Sequence, residues 1–163
     1  MKLIIADTGP ILHLEEAGIA DLLPRLGEVV VTPKVLAELL RRKGWSRPSW
    51  LHVEEPSAHA LRIAQLWVAN GMLHEGEAEA LAHAKEVRPD FFLTDDSAAR
   101  VAASAAGLHV RGSLGVVLGC TALRLCSKTE ARQALDALET RSTLWLAAEV
   151  KLAAKQALEN LFP

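Results

Sequence analysis

Cysteine is scarce: the 163 residues hold only Cys120 and Cys126, too few for the disulfide framework of a small secreted domain, and neither has a His or Cys neighbour at zinc-ligand spacing. A reducing cytoplasm is the expected location. Excess charge is missing too. Lys and Arg number 18 against 20 Asp and Glu, for a formal net charge of -2, which excludes a strongly basic nucleic-acid-wrapping protein but leaves room for a local nucleic-acid site. Long apolar runs are absent. Leu3-Ile4-Ile5-Ala6 stops at Asp7, short of the roughly 7–15 apolar residues of a signal peptide. Glu, Arg, Asp or His interrupts the other apolar stretches before the roughly 18 residues of a membrane span. A soluble, unprocessed chain with no membrane partner is expected. Val and Ile together supply only 17 residues, whereas Ala and Leu supply 54, so helices should dominate.

What is present is a hydrophobic half and a charged 23%, a balance that excludes intrinsic disorder. The length fits one domain, since domains run to roughly 100–200 residues. Leu3 to Ala6 is wholly apolar, the pattern of a strand covered on both faces. It ends at Asp7-Thr8-Gly9-Pro10, where Pro10 suits the first turn of a helix carrying Ile11, Leu12 and Leu14. Glu28 to Val31 reads as a second strand, after which Thr32 can cap and Pro33 can open a helix to about Lys43. Leu51-His52-Val53 reads as a brief edge strand. A helix is expected over Ser57 to about Asn70, another from Gly76 to about Val87, a strand over Phe91 to Thr94, and an Ala-rich helix capped by Asp95-Asp96-Ser97 and ended by Gly107. Leu108-His109-Val110 is the last expected strand, and two or three helices follow Gly112. The alternation of strands and helices predicts an α/β fold, with a parallel sheet of about 4–5 strands flanked by helices and a helical C-terminal tail.

In such sheets ligands bind beyond the carboxyl ends of the strands, where the strand order reverses. Asp7 ends the first strand, and Asp95 with Asp96 follows the strand at 91–94. Glu38 and Glu77 lie on helices that could bring them to the same edge. Converging carboxylates repel one another and call for a cation, and oxygen donors without imidazole or thiolate select Mg²⁺ or Mn²⁺. Each acid also has a plain structural explanation. Asp7 can cap a helix, Glu38 can pair with Lys34 and Arg42, Glu77 suits a helix first turn, and Asp96 can pair with Arg100.

Five segments, taken in order, resemble the motifs of the PIN-domain family: Leu-Ile-Ile-Ala-Asp7-Thr8-Gly9-Pro10-Ile11-Leu12, Val-Val-Thr-Pro-Lys-Val-Leu-Ala-Glu38, Leu-His-Glu-Gly76-Glu77-Ala-Glu-Ala, Phe-Leu-Thr94-Asp95-Asp96-Ser-Ala-Ala-Arg100, and Gly107-Leu-His-Val-Arg-Gly112-Ser-Leu-Gly115. The resemblance covers about residues 1–120 and is nearest to stand-alone prokaryotic PIN-like proteins. It implies a three-layer α/β/α fold and a metal-dependent endoribonuclease acting on single-stranded RNA, as in toxins of the VapC type, leaving 5′-phosphate and 3′-hydroxyl ends. Asp7, Glu38 and Glu77 match the first three metal-site acids, and Asp95 or Asp96 the fourth. Thr8 matches a hydroxyl residue that could help to hold water or phosphate. The expected cofactor is Mg²⁺ or Mn²⁺, and the expected partners are single-stranded RNA, a cognate antitoxin and a second copy of the chain.

One domain over residues 1–163 is expected, with the nuclease core at about 1–126 and a helical extension at about 127–163. In that extension Ala131, Leu135 and Leu138 suit one amphipathic helix. Leu144, Leu146, Val150, Leu152, Leu158 and Leu161 suit a second, for core packing, dimerisation or antitoxin docking. Arg41, Arg42, Lys43 and Arg47 beside Trp45 and Trp50 are either an RNA-binding stretch or a solvated helix end with packed tryptophans. Among the six histidines, His74 lies close to Glu77 and the rest are expected to be structural or solvent-facing. Asp7-Thr8-Gly9 also matches the aspartic-protease triplet, but that is a mostly β architecture, and no phosphate-loop motif occurs. Three rivals remain to be weighed: the nuclease, a PIN-like RNA-binding or assembly module with little or no cleavage, and a metal-dependent phosphatase or receiver-like protein.

Overall fold

The computed structural model describes residues 1–162. Five strands form one all-parallel sheet: β1 (Leu3–Ala6), β2 (Glu28–Val31), β3 (Leu51–Val53), β4 (Phe91–Leu93) and β5 (Val110–Arg111), in the order β3-β2-β1-β4-β5. Ile4, Ile5, Ala6, Val29, Val30, Val31, Phe92 and Leu93 have no exposed surface. That is why these strands read as continuous apolar runs: helices cover both faces, and no solvent side exists for polar residues.

The helices are α1 (Thr8–Glu16), α2 (Leu22–Leu26), α3 (Pro33–Leu40), α4 (Ala58–Ala69), α5 (Glu75–Val87), α6 (Ser97–Ala105), α7 (Ser113–Ala122), α8 (Lys128–Arg141) and α9 (Ala148–Leu161). Helices α3, α4 and α5 pack together with α6 against α5, while α2, α8 and α9 pack around α7 and α8 also meets α1. The result is a three-layer α/β/α arrangement. Asp96 caps α6 through a side-chain oxygen and Gly107 takes a left-handed φ of +77° after it, as expected, and Ser57 and Ser127 cap α4 and α8 in the same way as Asp96.

Four local expectations are corrected. Helix α3 ends at Leu40, not Lys43, because Arg42 N–H already bonds back to Leu39 in a tightened turn. Thr32 sits at the N-cap of α3 but makes no cap bond, and its hydroxyl is buried without a partner. The last strand is Val110–Arg111, displaced from 108–110, because Leu108 N–H bonds back to Ala103 as α6 closes. Leu144 and Leu146 are not helical; they belong to the connection between α8 and α9, and only Ala154 and Leu158 of α9 are buried. The face expected on α8 is as predicted, with Ala131, Leu135 and Leu138 all buried.

Candidate metal and nucleic-acid site

The chain leaves β1 to build β2 and β3 on one side and returns to build β4 and β5 on the other. The strand order therefore reverses between β1 and β4, which puts the crevice of a parallel sheet at the carboxyl ends of these two strands. Ala6 is in register with Leu93, so Asp7 and Thr94 leave the sheet side by side. A cleft of about 560 Å³ opens there, and Asp7, Glu38, Glu77, Asp95 and Asp96 all line it. All five acids singled out in the sequence are thus on the walls or floor of one cleft.

Asp7 is the deepest, with 4% of its surface exposed. One oxygen accepts from Thr8 N–H at 2.7 Å and the other from the Thr94 hydroxyl at 3.1 Å. Burial raises its pKa to about 7; the Thr8 and Thr94 hydrogen bonds oppose this, and the nearby charges of Glu77 and Glu38 add to it. An isolated buried carboxylate beside two others is a poor anion until a cation joins it.

Glu38 reaches the cleft from one and a half turns into α3. It forms no ion pair with Lys34 or Arg42; Lys34 pairs with Glu75. Its carboxylate accepts the Thr8 hydroxyl and, at 3.1 Å, the N–H of Gly76 at the start of α5, where the helix dipole favours negative charge. Gly76 is obligatory for this approach, since a Cβ there would come 2.6 Å from the Glu38 carboxyl carbon. Thr8 thus serves as a brace between Asp7 and Glu38. Glu77 closes the first turn of α5 by accepting from His74 N–H at 2.9 Å. The His74 ring stands in solvent, 89% exposed, with Nδ1 3.3 Å from Glu77.

The two neighbouring aspartates differ. Asp95 is fully engaged: Oδ1 accepts from Ser113 N–H at 2.7 Å, and Oδ2 accepts from the Ser113 hydroxyl and lies 2.7 Å from His13 Nδ1. Burial pushes its pKa up, but the hydrogen bonds from His13 and Ser113 outweigh that and hold it below the usual carboxylate range. Asp96 caps α6 through Oδ1, 2.8 Å from Ala99 N–H, and its second oxygen has no partner among the described residues. Arg100 donates to the Thr94 carbonyl, not to Asp96.

Among the described residues, no three His, Cys, Asp or Glu side chains converge on one point at metal-ligand spacing. The donor chemistry still fits a hard cation. Mg²⁺ retains several waters and is commonly held by one or two carboxylates plus substrate phosphates, and Asp7 is an uncompensated buried acid flanked by two more.

Sequence reasoning passed over four contributors. His13 and Ser113 orient Asp95, and Thr94 orients Asp7. The only signal for His13 was an imidazole embedded in the otherwise apolar run of α1. The fourth is the segment 143–147, which walls the cleft together with Val150. The basic stretch after α3 does not line this cleft: Arg42, Lys43 and Trp45 line another recess with Glu15 and Glu16, Trp45 and Trp50 pack against the core, and Arg47 donates to the Leu51 carbonyl. Packed tryptophans at a helix end are what the structure supports there. No helix of the described residues is long and apolar enough to cross a membrane.

No curated protein matches the chain in sequence. A PIN-domain family model, DUF3368, matches residues 3–160, which extends well past the roughly 120 residues that carry the recognisable motifs and takes in α8 and nearly all of α9. PIN domains are generally nucleases that use divalent metals. With the match running from the first strand to the last helix, the chain belongs to the PIN-domain family.

Proposed function

We propose that this protein is a Mg²⁺- or Mn²⁺-dependent endoribonuclease that hydrolyses phosphodiester bonds in single-stranded RNA. One observation carries the reading: a deeply buried Asp7, its pKa lifted to about 7 beside Glu38 and Glu77, at the switch point of a parallel sheet. Asp7, Glu38, Glu77 and Asp96 would hold the metal. Bound there, divalent ions supply positive charge to the scissile phosphate and to the departing oxygen.

The chain's own residues prepare that site. Thr8 fixes Asp7 through its N–H and Glu38 through its hydroxyl, so the two carboxylates keep one relative orientation. Gly76 gives Glu38 a backbone donor and the room to approach it. Asp95, with both oxygens occupied, is a positioning residue that ties α1 to the start of α7 through His13 and Ser113. Asp96 keeps one oxygen free and is therefore the better fourth acid.

A second reading, a PIN-like RNA-binding or assembly module with little cleavage, draws on the lack of three converging donors. One experiment separates the two. Purified protein is incubated with single-stranded RNA in Mn²⁺ or in EDTA, with wild type beside Asp7→Asn. The nuclease reading expects cutting by wild type in Mn²⁺ only; no cutting under any condition, or equal cutting by the variant, favours the module. We carry the VapC-type resemblance one step further, to a cytoplasmic toxin that forms a homodimer and is restrained by an antitoxin. Expression of wild type arresting bacterial growth, with Asp7→Asn harmless, tests that role.

A further inference from the structure

We infer that Trp145 is a stacking platform for an unpaired nucleobase, and that it restricts the acid cleft to single strands; the inference rests on the nuclease reading. Trp145 is 83% exposed, an unusual state for the largest apolar side chain, and it stands on the wall of the cleft that holds Asp7 and Asp96. It is not on a loose loop. Glu16 of α1 accepts both the N–H and the hydroxyl of Thr143, at 2.7 and 2.9 Å, and Leu144 packs against the core. The indole is therefore presented on a segment pinned two residues before it and continued by α9 from three residues after it.

The cleft lies within the roughly 300–1,000 Å³ range that accepts a small ligand such as a nucleotide, and its acid floor suits a phosphodiester only when cations neutralise it. A phosphate at the floor brings its flanking base to the wall. An exposed indole accepts any base face, and a base can offer its face only when it is unstacked from a duplex. The same wall carries no Lys or Arg, so stacking, with the metal, is the attraction this rim offers.

The test uses the full chain with Asp7 intact and a fluorescein-labelled 10-nucleotide RNA, with Ca²⁺ in place of Mn²⁺ to fill the acid site without cutting while anisotropy is read. Trp145→Ala should weaken binding about 5- to 100-fold and Trp145→Phe about threefold or less, in keeping with the contribution of one stacked base. An abasic nucleotide scanned along the RNA should weaken the Trp145 protein at one position and leave Trp145→Ala indifferent there. Because the side chain is exposed, both variants should keep the parental melting temperature. Equal affinity of Trp145→Ala, with no Trp145-dependent abasic position, overturns the inference. So does an unchanged affinity accompanied by a loss of self-association in sedimentation, which would assign the indole to a protein contact. Parallel cleavage assays separate the two levels: Mn²⁺-dependent cutting with an idle Trp145 removes only this inference, whereas neither cutting nor binding removes the nuclease reading with it.

Discussion

Replacing Asp7 by Asn should make the metal-free protein more stable while removing its activity. Asparagine is isosteric: its carbonyl can accept from Thr8 N–H, and its amide can face the Thr94 hydroxyl, which rotates to accept. What is lost is a charge. An unfolded-state pKa of 3.8 against a folded value of about 7 means that between these limits the native state binds more protons than the unfolded chain. Stability therefore falls as pH rises, by about 1.4 kcal/mol per unit, and levels off above the folded pKa. The interval of roughly three units sets a ceiling of about 4 kcal/mol, and relaxation around the ionised group reduces it, so about 2–4 kcal/mol is expected at pH 8. Urea unfolding of both proteins in EDTA, from pH 4 to 8.5, reads this directly. The difference should be near zero at pH 4, grow to about pH 7, and then stay flat. A variant less stable than wild type at pH 8, or a difference independent of pH, would refute the argument that Asp7 is an uncompensated buried acid.

Three further perturbations follow from the same geometry. Gly76→Ala places a methyl group against the Glu38 carboxylate, so thermal melts should show a loss of about 1–3 kcal/mol, and Mn²⁺-dependent cutting should fall at least tenfold. Asp95→Asn breaks the His13 and Ser113 bonds to a carboxylate whose folded pKa is depressed. The stabilisation it removes is present above the unfolded pKa and lost as pH falls through the folded one, so a cost of about 1–3 kcal/mol at pH 7 should shrink in unfolding measurements as the pH is lowered below the ordinary carboxylate pKa. Glu77→Gln removes the stronger of the two neighbouring charges that raise the Asp7 pKa, and the pH at which the metal-free stability curve levels off should move below 7.

Much of this was readable in the sequence for identifiable reasons. A strand buried on both faces must be apolar throughout, so β1, β2 and β4 announced themselves, and the acids that follow β1 and β4 had to lie at the carboxyl edge. The ordered motifs then placed Glu38 and Glu77, which helix spacing alone would have left as an ion-pair partner and a first-turn acid. The choice between Asp95 and Asp96 was not readable. Adjacent residues in a strand-to-helix turn point different ways, and what sets the two apart is His13 and Ser113, partners 82 and 18 residues distant that occupy Asp95. The wall of the cleft was hidden for a different reason: Leu144, Leu146 and Val150 fit a helical spacing, yet the first two lie in a connection held by Glu16, a long-range contact that periodicity does not encode.

Divalent binding is the claim on which the rest depends, and titration calorimetry of Mn²⁺ into the full chain at pH 6 tests it without any substrate. At that pH Asp7 is largely protonated in the empty site, so uptake should release protons and the measured heat should change with the ionisation enthalpy of the buffer. Wild type should show saturable, buffer-dependent heat, and Asp7→Asn should show none. Absence of binding by wild type, or equal binding by both proteins, would contradict the account.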